Sequence, residues 1–135
     1  MSIEQIMSPE VTEPAPGMWS NCLRAGDTVY VSGLTARDKG LNASGGDEYA
    51  QAKLIFSRMA ALVKAAGGSL RDIVKLTIYL TDIGHRELVW RARQEAFDGA
   101  FPACTLVEVS RLAPGIAVEI EAIAVLNQGG RPGAK

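Results

Sequence analysis

The stretch that most constrains this chain is residues 117–125, Ala-Val-Glu-Ile-Glu-Ala-Ile-Ala-Val. In an extended strand side chains alternate between faces, so Val118, Ile120, Ala122 and Ala124 fall on one side and Glu119, Glu121, Ile123 and Val125 on the other. Carboxylates within so apolar a strand must sit at an edge, an interface or a pocket, because an unpaired buried charge is costly. A second β-type run precedes it at 105–110, and Ala113-Pro114-Gly115 between them is turn-forming. The two runs are therefore expected to pair as a hairpin. Cys104 stands just before the first run, and such a hairpin would bring its thiol toward the middle of the second. Cys104 and Glu119 are the candidate chemical groups of one site.

The chain before this stretch changes period several times. Residues 1–16 carry Pro9, Pro14 and Pro16, which fix φ and remove donors, and predict an extended or loosely held arm. Residues 21–24 and 28–32 flank Ala25-Gly26-Asp27, a turn signal, and predict a β-hairpin with Gly33 ending its second strand. Residues 39–47 are rich in Gly and Asn and predict a loop, with room for an extra short strand. From Asp47 the spacing of Leu54, Ile55, Met59, Leu62, Val63 and Ala66 gives one apolar stripe of a long helix. Asp47 is its expected N-cap and Gly67-Gly68 its stop, followed by a short capped turn at 69–72. Residues 73–81 return to period two, with Val74, Leu76, Ile78 and Leu80 expected inward. A second helix opens at Asp82 or Gly84 and runs to Phe97 on a buried side of Leu88, Val89, Ala92, Ala96 and Phe97; Asp98-Gly99 stops it. The tail at 128–135 is expected to fray. The order ββαβαββ predicts an α+β sandwich, with two helices on one face of a mixed sheet.

A chain of 135 residues with 47% hydrophobic side chains is long enough for one domain with a real core. Fourteen basic against fifteen acidic residues leave a net charge of −1, which argues against binding a phosphate backbone. Glu and Lys interrupt every apolar run before a membrane-spanning length, and the first residues do not resemble a signal peptide. Two cysteines in such a chain read as cytosolic thiols rather than a disulfide framework. Cys22 is expected in the core. His85, the one histidine, is expected as a solvated or capping residue, and with two scattered cysteines it makes no metal pattern. Neither glycine pair has the lysine or spacing of a phosphate loop, so no cofactor is expected.

Several segments, taken in order, resemble the Rid family, the reactive intermediate/imine deaminases also called YjgF. They are residues 26–33 (GDTVYVSG), 66–70 (AGGSL), 74–82 (VKLTIYLTD), 107–109 (VEV) and 119–125 (EIEAIAV). The resemblance implies a chorismate-mutase-like sandwich, a homotrimer with a barrel-like centre, and small-molecule pockets between subunits. It implies hydrolysis of an imine or enamine without a cofactor. In the deaminases a glutamate near the start of the last strand positions water, an arginine clamps the substrate carboxylate, a tyrosine near the amino terminus closes the pocket, and a Ser-Gly contributes backbone groups. The resemblance places the glutamate at Glu119 and the Ser-Gly at Ser32-Gly33. The tyrosine position falls on Trp19 and the arginine position on Cys104, while an Asn and a Tyr of the second helix become Trp90 and Arg93.

Losing the arginine is a large change. A hydrogen bond to a charged group contributes about 1.5–3 kcal/mol, so affinity for a small 2-imino acid should fall roughly ten- to a hundredfold or more. Trp19 and Trp90, if they line the pocket, favour a larger or more apolar ligand. Cys104 itself has three readings: a buried filler, a nucleophile activated by a cation such as Arg93 or Arg111, or an exposed redox sensor. Three functions stand open at this point: a C–N hydrolase or deaminase, a non-catalytic metabolite-binding or chaperone-like homologue, and a thiol-based stress sensor.

Overall fold

The computed structural model describes residues 2–38, 40 and 43–132. Its elements in chain order are β1 (Ile3–Gln5), β2 (Cys22–Ala25), β3 (Thr28–Leu34), α1 (Glu48–Ala65), β4 (Ile73–Leu80), α2 (Arg86–Phe97), β5 (Ala103–Glu108) and β6 (Val118–Val125). The six strands form one mixed sheet in the order β1-β2-β3-β6-β4-β5, and α1 and α2 pack together on one face of it. Val29, Val31, Leu34, Ile73, Leu76, Ile78 and Leu80 point from the sheet into this layer, with Val118, Ile120 and Ala124 of β6 beside them. Phe56 of α1 meets Phe97 of α2 edge to face, 5.5 Å between centroids.

The local signals act as their chemistry requires. Asp47 caps α1 by accepting the Ala50 N–H at 2.9 Å. Gly67 takes a left-handed φ of 105° after α1, and Gly68 N–H returns to Val63 O at 2.9 Å. Ser69 and Asp72 form a reciprocal capping box, and Asp98 closes α2 at φ 47°. Cys22 is fully buried.

The expected hairpin of the last two runs does not form. β6 lies between β3 and β4, antiparallel to both, whereas among the described residues β5 pairs with β4 alone, in parallel. The physical reason lies in α2: a helix between two strands supplies the crossover that parallel pairing needs, and β4-α2-β5 uses it. The nine-residue connection 109–117 then carries the chain past β4 to the middle of the sheet.

A further correction comes from register. Val74 is 37% exposed rather than inward, because β4 shifts register against β6 between Ile73 and Lys75, and Ile73 takes the buried place. The amino-terminal arm is extended but docked: β1 pairs antiparallel with β2, and Ile6 and Val11 are buried. In the early loop the extra pairing is a single bridge, Arg37 to Ala43; residues 39, 41 and 42 of that loop lie outside the described residues. The tail is not frayed where it is described, since Arg131 Nη1 donates to the carbonyls of Leu70, Arg71 and Ile73. The expected fraying at 133–135 lies outside the described residues.

Candidate active site

Glu119 stands near the start of β6, and two devices fix it there. The first is Gln51, buried on α1, whose Oε1 accepts the Ala117 N–H at 2.9 Å while its Nε2 donates to Gly46 O at 3.1 Å and Gly115 O at 3.4 Å. This amide ties the entry of β6 to the helix layer. The second is a bulge in β3: Val31 pairs with Ala122 and Leu34 with Ile120, so three steps on β3 face two on β6. The bulge turns Gly33 toward the Glu119 side chain. A Cβ at Gly33 would overlap Glu119 Oε2 and lie 2.9 Å from Cδ, so the carboxylate rests on a backbone that only glycine leaves open.

Glu119 lines a cleft of about 520 Å³ with Trp19, Ser32 and Gly33. The docked amino-terminal arm forms one wall through Val11, Thr12 and Pro14; Arg37 and Arg58 stand on other sides. Asn21 holds the arm in place, its Nδ2 donating to Thr12 O at 3.0 Å. Its carbonyl accepts both the Ser32 N–H at 2.9 Å and the Ser32 hydroxyl at 3.1 Å. The Ser32 proton is thereby committed to backbone, so this serine shapes the wall rather than attacking. Burial raises the Glu119 pKa above the ordinary carboxylate value; Arg37 opposes the shift and Glu121 adds to it. A half-buried carboxylate of raised pKa in an open cleft suits proton exchange with water. Among the described residues no group of three or more His, Cys, Asp or Glu could hold a metal.

The structure brings Trp19, Ser32, Gly33 and Glu119 to one cleft and places the other expected site residues away from it. Cys104 pairs in parallel register with Leu76, whose side chain is buried in the helix layer; Glu119 pairs with Tyr79 on the opposite face. Within one chain the thiol and the carboxylate therefore lie on opposite sides of the sheet, and their expected juxtaposition is corrected. The parallel β4-β5 ladder replaced the hairpin on which it depended. Arg93 and Trp90 also belong to α2, away from the cleft: Arg93 Nη1 lies 3.3 Å from Cys104 Sγ, and Trp90 stacks under Arg86 at 5.4 Å. His85 does not cap α2 with its ring; its Nδ1 lies 2.6 Å from Glu48 Oε2.

Asn21, Arg37 and Arg58 also line the cleft and were not among the site residues expected from the sequence. Arg58 sat inside an ordinary helical pattern and Arg37 in a loop, with no motif marking either. Asn21 was visible only as the start of a strand.

An acid-bearing cleft at a bulged strand, on a mixed sheet backed by two helices, defines a small α+β protein with a concave site of small-molecule size. A family model described as endoribonuclease L-PSP matches residues 11–126. The chain is 38% identical over 121 residues to the 2-iminobutanoate/2-iminopropanoate deaminase of Salmonella typhimurium, covering 84% of this chain and 94% of that protein. It is 36% identical over 117 residues to a RutC family protein of Pyrococcus horikoshii, covering 84% and 93% of the two chains. The crystal structure of RidA from an Antarctic Psychrobacter superposes with a TM-score of 0.82 at 32% identity, over 91% of this chain and 99% of that one. The chain belongs to the Rid (YjgF, L-PSP) family.

Proposed function

We propose that this chain hydrolyses the C=N bond of a small imine, or of the enamine that tautomerises to it, giving a carbonyl compound and ammonia. The observation that carries the reading is the Glu119 carboxylate, laid across Gly33 in the Trp19 cleft with its pKa raised by burial. Glu119 accepts a proton from water as the water oxygen bonds to the imine carbon. That proton passes to nitrogen to give a carbinolamine. Glu119 then takes the carbinolamine hydroxyl proton as the carbonyl forms and gives it to the nitrogen as the C–N bond breaks, so imine plus water becomes carbonyl plus ammonia. The likeness to the Salmonella imine deaminase supports this chemistry.

The site is completed between copies of the chain in a homotrimer. Its barrel-like centre is built from the sheet face that carries Lys75, Thr77, Tyr79 and Glu121. That face is not covered by the two helices, and Tyr30 on it is 50% exposed. In this assembly the Cys104, Arg93 and Trp90 edge of one subunit forms the far wall of the neighbour's Glu119 cleft. The cleft volume and the indole of Trp19 favour a ligand larger than the three-carbon 2-aminoacrylate.

A second reading has its own observation. Arg93 sets a cation beside the Cys104 sulfur at 3.3 Å, the neighbour a reactive thiol requires. The two are separated by measuring ammonia or amine release for wild type and Cys104→Ala over a panel from 2-imino acids to larger aromatic imines and small amides. Retained turnover in Cys104→Ala supports Glu119 and water as the machinery. Loss of turnover in a folded Cys104→Ala supports thiol chemistry. Silence from both proteins would leave a metabolite-binding member of the family.

A further inference from the structure

We propose that Arg58, assisted by Arg37, is the carboxylate-recognising group of the Glu119 cleft, so that the ligand is an acid reaching from Glu119 to the α1 wall. The inference rests on the hydrolytic reading for which bond reacts, but not for what binds.

Arg58 projects from α1 and lines the same cleft as Glu119. Its Nη1 donates to Thr35 O at 3.1 Å, which holds the guanidinium in place and uses one of five N–H donors. Burial lowers the Arg58 pKa, the mark of a cation short of solvation, and Asp38 partly offsets that by acting on it electrostatically. A second guanidinium, Arg37, lines the cleft and acts on Glu119 from the loop side. Among the described residues lining it, the cleft carries two guanidinium groups, Arg37 and Arg58, and two carboxylates, Asp38 and Glu119. A planar guanidinium with donors to spare is the side chain best shaped to bind a ligand carboxylate through two parallel hydrogen bonds. The arrangement also accounts for Cys104: an acid held by Arg58 from within the same chain does not need a cation at that position. The consequence is a preference for acids long enough to span the cleft.

The test is calorimetric titration of 2-oxo acids of four to six carbons, the products of the proposed reaction, and of their neutral amides. Inorganic phosphate serves as a second anion. Wild type, Arg58→Gln, Arg58→Lys and Arg37→Gln are compared, with thermal melts confirming the fold. Arg58→Gln should weaken acid binding roughly ten- to a hundredfold, with Arg58→Lys between it and wild type and Arg37→Gln losing less. The amides should bind weakly and alike to all four. Undiminished acid binding by folded Arg58→Gln overturns the inference, as do amides that match the acids, phosphate that outcompetes them, or a wild type that binds no acid. Ammonia release separates the two readings. Arg58-dependent acid binding without imine turnover sinks the hydrolytic reading and leaves this one standing. Imine turnover with an unchanged KM in Arg58→Gln does the reverse.

Discussion

Replacing Gly33 by alanine tests the geometry of the site with a single methyl group. Gly33 does not need a left-handed backbone, so the substitution brings no φ strain of its own. Its whole effect comes from the new Cβ, which would overlap Glu119 Oε2 and lie 2.9 Å from Cδ and 3.1 Å from Cγ. Ordinary contact requires the carboxylate to swing away by about 1 Å, a displacement that alone lowers a rate roughly a hundredfold. Overpacking costs about 1–3 kcal/mol, and a flexible glutamate places the cost at the lower end. Gly33→Ala should therefore lose far more activity than stability. The stability loss should shrink in a Glu119→Ala background, where nothing remains to collide. Urea denaturation at fixed protein concentration gives the coupling, and ammonia release gives the rate. A fully active Gly33→Ala, or an equal destabilisation with and without the Glu119 side chain, would refute the placement of the carboxylate over this glycine.

Other expectations follow from the same geometry. Gln51→Leu leaves the Ala117 N–H without its side-chain partner, and should lower unfolding stability by about 1–3 kcal/mol while weakening ligand binding through the shifted start of β6. Glu119 has a raised folded pKa, so the folded chain holds its proton more tightly than the unfolded one, and this residue's contribution falls as pH rises from the normal carboxylate range through the raised value. Glu119→Gln should accordingly gain stability over wild type as pH is raised toward neutrality, read by melts at several pH values; a gain confined to acid pH would contradict the burial argument. A disulfide reagent at neutral pH should modify one thiol per folded chain, Cys104. Cys22 is fully buried with its pKa pushed up to about 11, and should react only after unfolding. Asp47→Ala removes the α1 cap and should cost about 1 kcal/mol in the same denaturation assay.

Much of this fold was legible because its local signals are chemical and short in range. Asp47, Gly67, the capping box at Ser69 and the left-handed Asp98 set element ends that any reading of caps and turns recovers. The strand order was not legible. The alternation of β5 and β6 is satisfied equally by a hairpin and by strands separated by β4, and only the need of the β4-α2-β5 crossover for parallel pairing decides between them. That one decision also fixes which face Cys104 occupies, so within one chain the thiol lies on the sheet face opposite Glu119. Val74 was misplaced for a related reason: a bulge shifts parity by one, and nothing in the sequence of β4 marks it. Glu119, Ser32, Gly33 and Trp19, which line one cleft, were singled out through the family resemblance. Arg58 was not, because a single arginine in a helix carries no signal until the sheet bulge opens a cleft beside it.

The most direct test of the account is the rate of ammonia release from freshly generated 2-imino acids, by wild type and Glu119→Gln, each corrected for spontaneous hydrolysis. A general base of this kind contributes about 10²–10⁴-fold, so Glu119→Gln should lose a factor in that range while still binding the matching 2-oxo acid. A Glu119→Gln protein that releases ammonia as fast as wild type would remove this carboxylate from the chemistry and contradict the central claim.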